Sequence, residues 1–261
     1  MIAAVLFLAL AALPPDGDSR LPVSMGQEVP GAEVQVFGIE RETYRFGMTA
    51  ALQGRVAIPL GAADRGDTFV AGNVIVITNR MSYLELFDPG FGFTLEADLM
   101  ARPPPPKPGG LPWERSPAMG AYVALEWDWF AGGSATDDAG TRIRPDTLRL
   151  PQVYVGFKAS GTVQDNFFGD LRLGFGAAHF PSLMAKIQPQ GFAETDREFF
   201  QEAWTFAMEL RMHFGWRAGP VALTFGLGGR LIAPPEPGVT VSMDPAEFWT
   251  LDFEVGFEIG F

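Results

Sequence analysis

No cysteine occurs among the 261 residues. Thiolate metal sites, a cysteine nucleophile and a lipid-modified amino-terminal cysteine are therefore excluded. Histidine is almost as scarce, with His179 and His213 alone. Positive charge is thin: 19 Lys and Arg stand against 31 Asp and Glu, for a formal charge of −12. Nucleic acid is not an expected partner, because it requires a basic footprint. The acidic balance reads most simply as solvated loops. No run of eighteen apolar residues occurs, so no transmembrane helix is expected.

Glycine and aromatic residues are plentiful instead, with 31 Gly, 23 Phe and 6 Trp. Both suit a barrel wall, where glycine permits close approach and aromatics anchor at the lipid–water boundaries. Residues 1–13 form an apolar stretch of secretory h-region length, followed by Pro14-Pro15-Asp16, although no Lys or Arg precedes it. With the small-x-small pattern Ala9-Leu10-Ala11, this reads as a signal peptide within residues 1–20, leaving a barrel domain over 21–261.

The dominant pattern has period two. Successive strand side chains point to opposite faces, so a wall between lipid and a wet lumen alternates apolar with polar. In 249–261 the apolar set is Trp249, Leu251, Phe253, Val255, Phe257, Ile259 and Phe261, interleaved with Asp252, Glu254 and Glu258. A helix cannot segregate that pattern. Similar alternation marks 204–216, 119–129, 91–99 and 44–60, and less sharply 221–228, 167–177 and 153–158. Residues 68–78 are apolar on both faces and make a ninth strand that would pack against something in the lumen. Residues 32–39 supply a tenth, because bacterial barrels have even strand numbers. The expected fold is all-β, an antiparallel transmembrane up-and-down barrel of about ten strands, with eight or twelve left open. Turns near 61–67, 159–166 and 217–220 would be periplasmic, and loops near 132–146, 179–200 and 232–247 would be external. The proline-rich stretch 102–117 is long for a periplasmic turn.

The terminal aromatic with alternating apolar residues before it resembles the carboxy-terminal targeting signal of bacterial outer-membrane β-barrel proteins. The matching positions are Phe253, Val255, Phe257, Ile259 and Phe261. The resemblance implies residence in the outer membrane after export, contact with the lipid bilayer, and recognition by the outer-membrane assembly machinery. It names no family of known activity and leaves the oligomeric state open.

The inner face of such a wall would collect Glu96, Asp98, Glu126, Asp128, Asp170, Glu209, Asp252, Glu254 and Glu258, with Arg45, Arg55, Lys158, Arg172, Arg211, Arg230 and His213. Acidic rings favour cations in a pore, whereas a narrow barrel fills with its own side chains. Asp252, Glu254 and Glu258 are spaced too far along one strand to chelate a metal without help, at ~7 Å per pair of residues. Neither a metal nor another cofactor is expected. Gly226-Leu-Gly228-Gly229 lacks the lysine and helix of a phosphate loop and reads as barrel wall. The working expectation is a porin-like barrel passing a small solute. The alternative is a closed structural barrel whose outer loops meet a partner. A hydrolase using His179 or His213 with a serine or carboxylate is the third reading, and enzyme activity is not expected.

Overall fold

The structure, a computed structural model, describes residues 45–64, 75–76, 81–102, 117–137, 140–164 and 166–260. Eight long strands are built from the alternating segments: β1 (Arg45–Leu60), β2 (Gly90–Arg102), β3 (Ala118–Phe130), β4 (Leu148–Gln164), β5 (Phe167–Phe180), β6 (Ala203–Ala218), β7 (Val221–Ile232) and β8 (Phe248–Gly260). Each pairs antiparallel with its neighbours in sequence, and β1 pairs with β8 from Thr49↔Gly260 to Leu60↔Trp249. The result is a closed up-and-down barrel, all-β and antiparallel.

The strand number is eight, one of the alternatives left open beside about ten. Every one of the eight has both its partners within the barrel, which leaves no edge to accept another strand. From the ninth expected segment, only Ile75–Val76 is described as strand, and it pairs in parallel with Val241–Ser242 outside the wall. The expected tenth strand at 32–39 and the expected signal segment lie outside the described residues, as does Phe261.

One end of the barrel carries tight connections. Residues 165–166 join β4 to β5, and Gly219-Pro220 joins β6 to β7. Gly219 has φ +65°, the requirement of a two-residue hairpin turn with glycine at its first central position. β2 ends at Arg102 and β3 begins at Ala118 at this same end. At the opposite end lie four long connections, 61–89, 131–147, 181–202 and 233–247. The segment 61–67 expected as a tight periplasmic turn therefore begins one of the long loops, because β1 runs upward and finishes beside Trp249.

The outer face is a continuous apolar band. Phe91, Trp129, Trp204 and Trp249 are exposed toward the loop end, and Phe46, Phe157, Trp216 and Phe257 toward the turn end. From Trp249 to Ile259 a strand advances about 34 Å, and a tilt near 40° reduces this to about 26 Å, the height of the apolar band of an outer-membrane barrel.

At the loop end, the inward face turns aromatic. Phe248 lies at the centre, with ring centroids 4.7 Å from Tyr83, 5.5 Å from Phe130 and 6.2 Å from Phe180. Tyr83 comes from α1 (Tyr83–Leu86), one turn held by a capping box between Ser82 and Glu85. Its hydroxyl donates to the Ala246 carbonyl at 3.0 Å. Loops 131–147 and 181–202 add a four-stranded sheet over this cluster, in the order Thr195–Phe200, Leu183–Gln188, Arg142–Pro145, Ala135–Thr136. Ile143, Ile187 and Leu183 point from it into the apolar core.

Phe248→Ala is expected to destabilise this outer tier by about 3–5 kcal/mol through the cavity it leaves. The check is hydrogen exchange with limited proteolysis: loops 131–147 and 181–202 should become labile while β1–β8 stay protected. Uniform loss of protection would show that the two tiers unfold together.

Candidate functional site

The strand alternation that turns leucine and phenylalanine outward turns charge inward. Glu96, Asp98, Glu126, Asp128, Arg172, Glu209, Arg211, His213, Asp252, Glu254 and Glu258 all lie buried inside the barrel, together with Arg55, Lys158, Asp170 and Arg230. They form a column of ion pairs running from the loop end to the turn end.

Near the loop end, the Arg230 guanidinium grips Asp252 bidentately, Nε to Oδ2 at 2.7 Å and Nη2 to Oδ1 at 2.8 Å. Its remaining nitrogen donates to Asp128 and, at 3.3 Å, to Glu126. Arg55 meets the same two carboxylates from across the barrel, Asp128 at 2.8 Å and Glu126 at 2.9 Å, and adds Thr94 at 3.0 Å and Glu254 at 3.2 Å. Gln152 donates to Asp128 at 2.7 Å and is itself held by the Tyr154 hydroxyl. Bidentate, charge-assisted bonds of this kind are the geometry in which arginine is strongest.

Midway, Arg211 donates to Glu254 at 2.7 Å and bridges Glu126 to Glu209. The Tyr122 hydroxyl donates to Glu209 at 2.6 Å. His213 lies between Asp170, 3.1 Å from Nδ1, and Glu254, 2.7 Å from Nε2. Each ring nitrogen thus faces a carboxylate oxygen, which fixes the ring between β5 and β8. Gly226 and Gly228 of β7 stand directly against His213 and Arg211, where a Cβ would collide. That is the role of the Gly-Leu-Gly sequence.

Toward the turn end, Arg172 joins Asp170 at 3.0 Å to Glu96. Lys158 holds Asp98 at 2.6 Å and Glu258 at 3.0 Å, and Arg217 reaches Glu258 at 3.1 Å. Asp252, Glu254 and Glu258 thus do not converge. Each serves a different level of the column.

Nine buried carboxylates face five buried Lys and Arg cations and His213 inside this wall. Relative exposure is 0% for Glu126, His213, Arg230 and Asp252, 1% for Asp128 and Arg172, and 2% for Arg211. A water-filled channel would leave its lining in contact with water, and these side chains have almost none. An eight-stranded wall has room for side chains and little else.

The hydrogen-bonding partners Thr94, Tyr122, Gln152 and Tyr154 were not singled out from the sequence. Their even–odd phase already placed them on the inner face, and that phase was the signal that could have found them. His179 is elsewhere, at the outer rim, 3.1 Å from Glu202 and beside the Trp204 ring at 4.9 Å. Among the described residues, neither histidine hydrogen-bonds a serine.

No protein-family model matches the chain, and no characterised protein matches it in sequence. Among solved structures, Ail, the attachment invasion locus protein of Yersinia pestis, is 10% identical with a TM-score of 0.38, covering 82% of this chain and 99% of Ail. Neisserial surface protein A is 8% identical with a TM-score of 0.40, covering 84% and 99%. The outer membrane protease OmpT of Escherichia coli is 8% identical with a TM-score of 0.45, again covering 84% and 99%.

Arg230→Leu should destabilise the barrel by about 3–5 kcal/mol, because it strands Asp252 without its partner and removes one of the two guanidinium groups on Asp128. Adding Asp252→Leu should recover part of that loss, the mark of a coupled pair. Urea unfolding in lipid vesicles, followed by tryptophan fluorescence, measures both; strictly additive effects would mean that the pair is not coupled.

Proposed function

We propose that this chain is a closed, non-conducting outer-membrane β-barrel that holds a rigid sheet of outer loops at the cell surface as a binding platform. The observation that carries this reading is the interior: a column of ion pairs with essentially no water-accessible surface fills the barrel from Arg230 to Lys158. Passage of a small solute, the working expectation from sequence, has no support in that geometry. The outward apolar band supports residence in a bilayer, and the tight connections support a periplasmic turn end. Export by residues 1–20 and targeting through Phe253, Val255, Phe257 and Ile259 with Phe261 belong to the same proposal. Those four described residues face outward on β8 and are exposed.

The platform half rests on loops 131–147 and 181–202. Loops left to wave in solvent would not share a sheet, yet these two pair with each other from Ala185↔Pro145 to Gln188↔Arg142. Their apolar side is buried on the aromatic tier and their polar side faces outward. A surface ordered in advance loses less entropy on binding than a flexible one.

Two measurements test the proposal. Refolded protein in planar bilayers should give no step conductance; discrete channel openings would overturn the closed barrel. Cells displaying the intact chain should bind a panel of glycan- and protein-coated surfaces that cells with both loops replaced by short Gly/Ser turns do not. Equal binding across the whole panel, with both barrels assembled, would overturn the platform.

A further inference from the structure

Between the tips of loops 131–147 and 181–202 lies an open cleft of about 560 Å³, on the exposed side of the outer sheet. Its floor is one cross-strand row: Thr136 pairs with Arg142, and Arg142 pairs with Gln188. Cross-strand partners point to the same face and sit ~4.8 Å apart, so a hydroxyl, a guanidinium and an amide stand side by side. Ser134 and Gln190 supply further hydroxyl and amide groups to the walls. Among the described residues, no carboxylate and no large apolar side chain lines the cleft.

Arg142 is the feature that gives the cleft a chemical preference. Its Nε donates to Ser134 Oγ at 3.1 Å, which fixes the plane of the guanidinium. It makes no ion pair among the described residues, so the two terminal nitrogens keep their donors available. The nearby carboxylate Asp137 is engaged by the Thr141 backbone N–H at 2.6 Å and is not part of the lining. One row along the sheet, Arg144 and Lys186 are again cross-strand partners. Arg144 has only a long contact to exposed Glu194 at 3.7 Å, and Lys186 has no ion pair among the described residues. Carboxylates accompany both of these cations, because Asp196 is the other cross-strand partner of Lys186 and Glu194 is the contact of Arg144, so Arg142 is the cation that distinguishes the cleft.

Resting on the platform reading above, we infer that this cleft binds an acidic saccharide, with a sugar carboxylate on Arg142 and ring hydroxyls on Thr136, Gln188 and Gln190. A planar carboxylate matches the guanidinium fork. Sugar hydroxyls both donate and accept, as do the hydroxyl and amide groups here. The cleft volume falls in the range of small-ligand sites. Because the cleft offers no apolar recess, it provides no anchor for a hydrophobic side chain of a peptide.

The test uses the full-length refolded protein in detergent and trigalacturonate as probe, with its methyl ester as the neutral control. Calorimetric titration should detect the acid form and lose about tenfold or more in affinity on esterification, the effect of removing a charge-assisted pair. Arg142→Gln should weaken binding to a similar degree, while Arg142→Lys, which keeps the charge but not the fork, should fall between. Unchanged electrophoretic mobility of the unheated protein confirms that each exposed-site variant retains its barrel. Equal affinity for acid and ester, or insensitivity to Arg142→Gln, overturns the inference. Absence of binding to trigalacturonate also overturns it, and leaves the platform reading to the display experiment, which uses a panel of surfaces and removes whole loops.

Discussion

The pairing of β1 with β8 is the contact on which every other feature of this protein depends. Inside hydrocarbon an unpaired backbone N–H or C=O has no water to turn to, so a sheet with an open edge is not a viable spanning structure. Residues 49–60 of β1 and 249–260 of β8 meet that demand across their whole length. Once the ring is closed at eight strands, its interior is narrow enough for side chains to fill. The polar face is then met largely by ion pairs between side chains, and the column follows from the closure.

Charged residues are a costly way to fill a small interior, because desolvating each ion consumes most of the attraction it gains. Their use here has a different physical consequence, which is register. A strand that slipped by one residue would exchange its two faces. For β8 that would send Asp252, Glu254 and Glu258 into lipid and bring Leu251, Phe253 and Val255 inward. An apolar filling would leave such a slip nearly free of penalty, since leucine is tolerated on either side. Arg230, reaching Asp252 on β8 and Asp128 on β3, ties elements that are not adjacent in the wall. The network thereby specifies the closed ring as well as each strand pair.

The same parity explains how much could be read beforehand. Alternation alone located all eight wall strands and put Glu126, Arg211 and Glu254 on the inside, because period two is a local property of the chain. At 68–78, read as a wall strand, the described part is Ile75–Val76, which pairs with Val241–Ser242 outside the wall. Alternation was blind to the outer sheet. Leu183–Gln188 and Arg142–Pro145 are short and separated by a complete hairpin of β4 and β5, so their pairing exists only once the barrel has brought the loops together. Likewise Arg142 carried no sequence signal, since its significance comes from Ser134, Thr136 and Gln188 on three different stretches of chain.

The passage from charged to aromatic along a single inner face has a further consequence for how the platform is held. On β3 the inward series is Glu126, Asp128, Phe130; on β7 it ends Arg230, Ile232; on β8 it begins Phe248, Thr250, Asp252. No strand breaks between the two tiers. The change falls near the level of Trp129, Trp204 and Trp249, which stand outward toward the loop end of the apolar band. Above that level the strands are no longer clad by lipid, and an apolar core gains from excluding water as it does in a soluble protein. The loop sheet therefore rests on the ends of the barrel strands themselves, with Ile143, Ile187, Phe199 and Phe200 packed into the same cluster as Phe130, Phe180 and Phe248. The position of the sheet is therefore set by the barrel wall, whose interior is tied together by the ion pairs below it.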